Sequence, residues 1–369
     1  MRSLHLTVTT YDRPLPRPLV TAHGTYERRR GIIFRLDDGT GLYGLGDAAP
    51  LPGFSRESIT QVENAANEVA ARVNTSGVAP LAIPESPAQL PQATAGFDDL
   101  CGDLPSLRFA LETAVADLAA RRSELPLARW LLESATAHVD VNGLLDCSGG
   151  VDVGERARAL RAAGFTTIKV KVGVGAVDED IRRVTALREA VPDAQIRIDV
   201  NAAWDEAKAR EALTAMSSLN LEFVEQPLAV GNILPALRLA RDAGVPLALD
   251  EEIETPADAI ALIEEQMCDV LVLKPMVLGG ISACLEIIAA AQRRGIGIVF
   301  TSSWESDIGI AATLHLAAAA GPVSRAAGLS TAGAIADGII ERPLVIESGR
   351  LLIPEAPGLG FSLVTRTKR

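Results

Sequence analysis

The chain is short of the residues that would staple it, carry it through a membrane or grip nucleic acid. Its 369 residues hold four cysteines, Cys101, Cys147, Cys268 and Cys284, far apart and with no CxxC pair. That excludes a dense disulfide framework and suits reduced thiols in a cytoplasmic protein. The four histidines, His5, His23, His138 and His315, form no HExxH and no close pair, so a zinc site is not expected. Basic residues number 35 against 47 acidic, a net charge of −12. Without a basic surface the phosphates of nucleic acid find no counterpart, and no nucleic-acid partner is expected. The longest uncharged stretch, Ile308 to Ala320 and on to Ser324, is Ala-rich and carries Thr313 and His315. It falls below the roughly 18–20 apolar residues of a membrane span, so no membrane partner is expected and a buried amphipathic helix accounts for it. Neither GLYGLG (41–46) nor Gly173-Val174-Gly175 completes a GxGxxG or GxxxxGK[ST] motif, which removes the nucleotide-binding reading.

What is present is core. Hydrophobic residues make up 48% and charged residues 22%, which excludes disorder. The length exceeds one average domain of roughly 150 residues, and one large barrel with a smaller domain fits it. The first twenty residues alternate polar and apolar around three prolines, a strand and loop rather than a signal peptide. Residues 1–130 read as mixed β then α: alternating stretches at Leu4–Val8 and Gly31–Leu36, a turn at Asp37-Asp38-Gly39, helical patterns over Arg56–Val73 and Leu107–Leu125, and an irregular connection over Asn74–Gln92. From His138 short apolar runs alternate with helical tracts. The runs are His138–Leu145, Thr166–Val172, Gln195–Val200, Leu221–Glu225, Val245–Leu249, Asp269–Leu273, Gly295–Thr301 and Ala326–Leu329. Strands apolar on both faces and separated by helices predict a parallel sheet, and eight of them predict a closed (β/α) barrel over 131–339. Residues 340–369 read as a hairpin that returns to the N-terminal domain.

The strand ends carry the chemistry. Successive runs finish in Lys169-Val170-Lys171, Asp199-Val200-Asn201, Glu225-Gln226-Pro227, Asp250-Glu251-Glu252, Lys274-Pro275 and Thr301-Ser302-Ser303. Side chains alternate along a strand, so both lysines of the first pair point one way. Asp199, Glu225 and Asp250 recur at intervals of 26 and 25 residues, about one βα unit, which places them at one height on adjacent strands. Three carboxylates so close repel one another, and a hard divalent cation relieves the conflict; oxygen-only ligands favour Mg2+, with Mn2+ as a substitute. Lys171 and Lys274 would face that cluster from different sides. A cation beside a lysine base is the equipment for removing a proton next to a carboxylate. A purely structural network of lysines and acids is the plainer alternative, although it would not require matched positions on successive strands.

The KxK pair, the spaced Asp/Glu/Asp and the later Lys-Pro resemble the enolase superfamily, muconate-lactonizing subgroup; the lysine-and-Mg2+ pairing of that superfamily is a known pattern. The resemblance covers nearly the whole chain. It implies a modified (β/α)7β barrel of the TIM type under an N-terminal α+β capping domain completed by the C-terminal segment. Within the superfamily GLGDAAPLPGFSRES, TSSWESDIG (301–309) and GLSTAG (328–333) look like the o-succinylbenzoate synthase family. Two departures are Asp47, where glutamate is expected, and the extra acid of Asp250-Glu251-Glu252. The resemblance implies Asp199, Glu225 and Asp250 as metal ligands, Lys171 as base and then acid, Lys274 as the opposing cation, and Lys169 as a hydrogen-bond donor to the substrate carboxylate that lowers the pKa of Lys171. It also implies Asn201 and Glu251 behind the ligands. A small carboxylate is the implied substrate, dehydrated on the route to menaquinone. Ser302 and Ser303 are candidates to cradle its carboxylate, and Phe54 either caps the substrate or plugs the domain junction. N-succinylamino acid racemase, dipeptide epimerase and muconate cycloisomerase use the same site and stay open.

Overall fold

The computed structural model describes residues 4–21, 24–75, 81–145, 152–335 and 339–364, so Cys147 lies outside the described residues. Strand β1 (His5–Thr21) pairs antiparallel with β2 (Gly24–Asp37), and β2 with β3 (Tyr43–Ala48). The 38–42 connection holds the predicted turn, where Asp38 accepts from the backbone and hydroxyl of Thr40. Helices Ile59–Asn74 and Pro105–Arg122 cover this sheet. The glycines of GLYGLG find their reason there. A Cβ on Gly44 would stand 1.9 Å from the carbonyl oxygen of Ala114, and one on Gly46 1.8 Å from that of Ala110. Only glycine lets β3 lie directly against the helix backbone.

The second unit begins with β4 (His138–Asp140) and β5 (Gly143–Leu145), followed by β6 (Thr167–Lys171), β7 (Gln195–Asp199), β8 (Leu221–Glu225), β9 (Leu247–Leu249), β10 (Val270–Leu273) and β11 (Gly297–Phe300). Strands β5 to β11 form one seven-stranded parallel sheet in sequence order. Its two edges are joined by the segment 324–328, which bridges to Ile298 and Thr301 on one side and Val141 on the other. The eighth run therefore closes the ring, through single bridges rather than a regular strand. Its Gly328 is pressed against Thr301, where a Cβ would meet the hydroxyl at 2.4 Å. The first run also divides. β4 leaves the barrel to pair with β13 (Arg350–Leu352), which forms a hairpin with β12 (Ile346–Glu347). The chain beyond the hairpin reaches the N-terminal unit: Asp117 accepts from the backbone of Leu359, and Arg121 donates to the carbonyl of Phe361.

Period-two alternation sorts the barrel strands. Ile196, Ile198, Val224, Leu249, Leu271, Leu273, Ile298 and Phe300 join the large core under the helices, while Phe223, Ala248, Val270, Val272 and Val299 form a separate cluster inside the ring. The floor of the barrel is plugged by Arg197, 1% exposed, which donates to both oxygens of Glu222 at 2.7 and 3.2 Å and to the carbonyl of Ala326 at 2.7 Å. The Ala-rich stretch forms the helix Asp307–Ala319, buried on every side rather than amphipathic as expected. Its small side chains let other elements approach all round it. Among the described residues no helix is long and apolar enough to cross a membrane. Cys101, Cys268 and Cys284 are free and buried, and burial pushes the Cys101 and Cys268 thiols up to about 12.

His315 sits on that helix, fully buried, its Nδ1 accepting from the backbone of Ala128 at 2.9 Å. Burial pushes its pKa down to about 4. The unfolded histidine, near pH 6.5, takes up a proton first, so its share of stability is full above that value and is lost as pH falls towards 4. The loss is on the order of 3 kcal/mol. Urea unfolding across this interval should show that decline in the wild type and a shallower one in His315→Asn; equal slopes would contradict it.

Candidate active site

The inward alternation that fills the barrel continues to its C-terminal mouth. In register Lys171 lies opposite Asp199, and Asp199 opposite Glu225. Asp250 follows one residue after β9, and Lys274 directly follows β10. At the rim the backbone turns away sharply: Asn201, Ala202 and Gln226 adopt positive φ of 46°, 62° and 39°, uncommon for residues with a Cβ. Such strained positions collect at functional sites.

Asp199 and Glu225 are 2% and 1% exposed. The ammonium of Lys169 lies between them, 2.8 Å from Asp199 Oδ2 and 2.7 Å from Glu225 Oε1. Lys274 pairs with Asp250. Lys171 is exposed at the end of β6. Asn201 ties the acids together, its backbone donating to Asp199 at 3.1 Å and its side chain to Glu251 at 3.2 Å. Gln226 accepts from the backbone of Asp250 at 3.3 Å. The extra acid, Glu252, turns outward, accepting from the side chain of Gln226 and the backbone of Gly231 and so anchoring the loop after β8.

Electrostatics show a surplus of negative charge. Burial, then the neighbouring Asp199, pushes Glu225 up to about 8. Burial, then Asp250, pushes Glu251 up to about 7, and one of its oxygens is buried without a hydrogen-bond partner. Burial works against the charge of Asp199, yet Lys169, with help from Lys171, holds that carboxylate below its ordinary range. Burial also opposes the charges of Lys169 and Lys274, but the acids beside them win and both lysines are raised.

Among the described residues no three acidic, histidine or cysteine side chains stand as a ready-made metal cluster. The expected convergence of Asp199, Glu225 and Asp250 is instead divided between two ammonium groups. The donors still fit a hard cation: they are all oxygen, deeply placed, and Lys169 already stands in for positive charge between two of them. Burial, with Asp199 beside it, keeps Glu225 raised although Lys169 pulls the other way.

The expected substrate contacts separate. The Ser302 hydroxyl shares a 2.6 Å hydrogen bond with Thr331 of GLSTAG. Ser303 is 4% exposed and its hydroxyl is enclosed without a partner, so it does not open onto the mouth. Phe54 is 42% exposed on its loop and is not a plug between the units. Sequence reasoning missed Arg29, Glu305 and Thr331, which gather behind and beside this segment. The run Arg28-Arg29-Arg30 on a strand was the available signal, since alternation must turn one of the three inward. A cleft of about 840 Å3 lined by Arg56, Pro105, Arg108, Leu278 and Ser282 lies away from the mouth, and its arginines are paired with Asp103 and Asp98.

A parallel barrel whose mouth gathers acids and lysines defines an enzyme of the enolase type. A family model for the enolase C-terminal domain-like fold matches residues 152–367, and one for the mandelate racemase/muconate lactonizing enzyme N-terminal domain matches residues 5–131. The chain belongs to the enolase superfamily, in its mandelate racemase/muconate lactonizing branch. It is 28% identical to a chloromuconate cycloisomerase of Pseudomonas putida, over 96% of this chain and 95% of that one. It is 36% identical to an o-succinylbenzoate synthase of Mycobacterium bovis, over 62% of this chain and 65% of the other. The crystal structure of a dipeptide epimerase from Enterococcus faecalis, complexed with Mg and the dipeptide L-Leu-L-Tyr, superposes with a TM-score of 0.87 at 26% identity, covering 98% of this chain and 100% of that one.

Removing the Lys169 ammonium leaves two buried carboxylates without a counter-charge. In EDTA, Lys169→Met should lose about 3 kcal/mol in urea unfolding. An unchanged midpoint would show that the pair needs no cation.

Proposed function

We propose that the chain is an o-succinylbenzoate synthase, dehydrating 2-succinyl-6-hydroxy-2,4-cyclohexadiene-1-carboxylate to 2-succinylbenzoate in menaquinone biosynthesis. The observation that carries the reading is the mouth itself, two buried acids around Lys169 with Lys171 beside them and Lys274 on Asp250. The higher identity to the Mycobacterium bovis synthase, though over a shorter span, tilts the choice of substrate.

Asp199, Glu225 and Asp250 would hold Mg2+, or Mn2+ in its place, with Asn201 and Glu251 orienting them. The bound cation would supply positive charge for the enediolate that develops on the substrate carboxylate. Lys171, open to the mouth, takes the proton from the carbon next to that carboxylate. It then returns this proton to the hydroxyl leaving from the same face, so water departs and the ring becomes aromatic. Lys274 faces the other side and offers charge without exchanging a proton. Lys169, freed from Asp199 and Glu225 once the cation takes its place, would hydrogen-bond the substrate carboxylate. Aromatisation makes the elimination strongly downhill, so one competent base is enough.

The second reading is a racemase or epimerase. The dipeptide-bound structural relative favours it, and so does the presence of a lysine on either side. It needs both Lys171 and Lys274 to exchange protons, one per face. Two substitutions separate the readings, followed by the ultraviolet change of the ring in Mg2+. Lys171→Ala should abolish dehydration, at least about 10^3-fold, and Lys274→Arg should keep appreciable activity because charge alone is required. Equal losses, with solvent deuterium entering N-succinyl amino acids in the wild type, would favour the racemase.

A further inference from the structure

One buried cation takes no part in the chemistry above. Strand alternation sends Arg28 outward to Asp12 and Arg30 outward to Glu63, and turns Arg29 into the joint between the two units, where it is 2% exposed. Its guanidinium donates to four carbonyl oxygens. Two belong to the N-terminal unit, Ala49 at 2.6 Å and Pro50 at 3.0 Å. Two belong to the barrel rim, Trp304 at 2.9 Å and Ser303 at 3.2 Å.

The rim segment is shaped for this grip. Trp304 has φ of 60°, left-handed and strained for a bulky residue. Glu305 folds back to accept from the backbone of Ser303. Beside it the cap's Asp47 accepts from the backbone and hydroxyl of Ser306 at 2.8 and 2.7 Å, a second tie across the same joint. On the cap side the backbone of Ala49 touches the sulfur of Met276, two residues past Lys274. The loop that carries Phe54 starts directly after Pro50. Arg29 therefore holds the root of that loop against the residues that follow Ser302. A buried charge with four carbonyl partners from two units is a costly device, and a planar fork is what matches it; lysine offers only a point charge.

We infer that Arg29 is a positioning residue, which fixes the height of the Phe54 loop over the Ser302–Ser303 segment and so sets the space available to substrate above the lysines. The inference rests on the dehydratase reading for its substrate, but not for its geometry. The test is made on the Mg2+-loaded full chain with Arg29→Gln and Arg29→Lys. Hydrogen exchange is followed in peptides covering 49–57 and 301–306, with 195–225 as the reference, and steady-state kinetics use the cyclohexadiene carboxylate. In Arg29→Gln both segments should exchange about tenfold faster while 195–225 is unchanged, and KM should rise about tenfold with kcat within roughly threefold, Arg29→Lys lying between. Unchanged exchange, exchange that rises equally in 195–225, or an unchanged KM would each overturn it. Should Arg29→Gln fail to fold, the same readings are taken from Arg29→Lys. A wild type that does not turn over the substrate would remove the dehydratase reading, and the exchange comparison would then decide Arg29 by itself.

Discussion

The site depends on two carboxylates kept side by side out of water. Asp199 and Glu225 face one another because of how β7 meets β8. The register runs Ile196 to Leu221 and then jumps, Arg197 standing opposite Phe223. The residue passed over, Glu222, turns to the buried guanidinium of Arg197 at the floor, and the shift brings Asp199 level with Glu225 above. One irregularity therefore satisfies the charge that plugs the barrel and aligns the pair proposed to hold the cation. Burying two acids together is costly unless a cation joins them, and Lys169 meets that need only in part. A divalent cation would complete the match by favouring the ionised form of Glu225.

The joint between the units is made in a different way. Its principal ties are charged side chains that reach backbone atoms rather than each other. Glu112, on the helix Pro105–Arg122, accepts from the backbone and hydroxyl of Ser282 at the start of the helix Ile281–Arg294. Asp117 on the same helix ties in the returning C-terminal segment, accepting from the backbone of Leu359. Asp47 and Arg29 do the same at the mouth. Such bonds fix loops whose sequence is free to vary, which suits a superfamily that keeps one barrel and changes the residues around its opening.

The barrel and its rim were legible in the sequence for one reason. Along each strand the inward positions are apolar in the middle and charged at the end, so a period of two reveals the face and the mouth together. Lys169, Asp199, Glu225, Asp250 and Lys274 were all visible by this rule. The division of His138–Leu145 into two strands was not, since β4 is defined by its pairing with β13 more than 200 residues away. Arg29 and Glu305 were hidden for a related reason. Their partners are main-chain atoms, which every residue carries, so nothing marks Glu305, and Arg29 is signalled only by the alternation of the run Arg28-Arg29-Arg30. The enclosure of Ser303 also could not be read, because it follows from the turn at Trp304 and the fold-back of Glu305 rather than from the residue itself.

The central claim is that these acids share one divalent cation and that Lys171 looks into the space it borders. A crystal structure grown with Mg2+ tests this directly. The account predicts one ion with oxygens of Asp199, Glu225 and Asp250 at about 2.1 Å, Lys169 displaced from between the first two, and the Lys171 amine facing the cavity. An ion bound elsewhere, acids still divided between Lys169 and Lys274 at saturating Mg2+, or a Lys171 side chain turned out to solvent would contradict it.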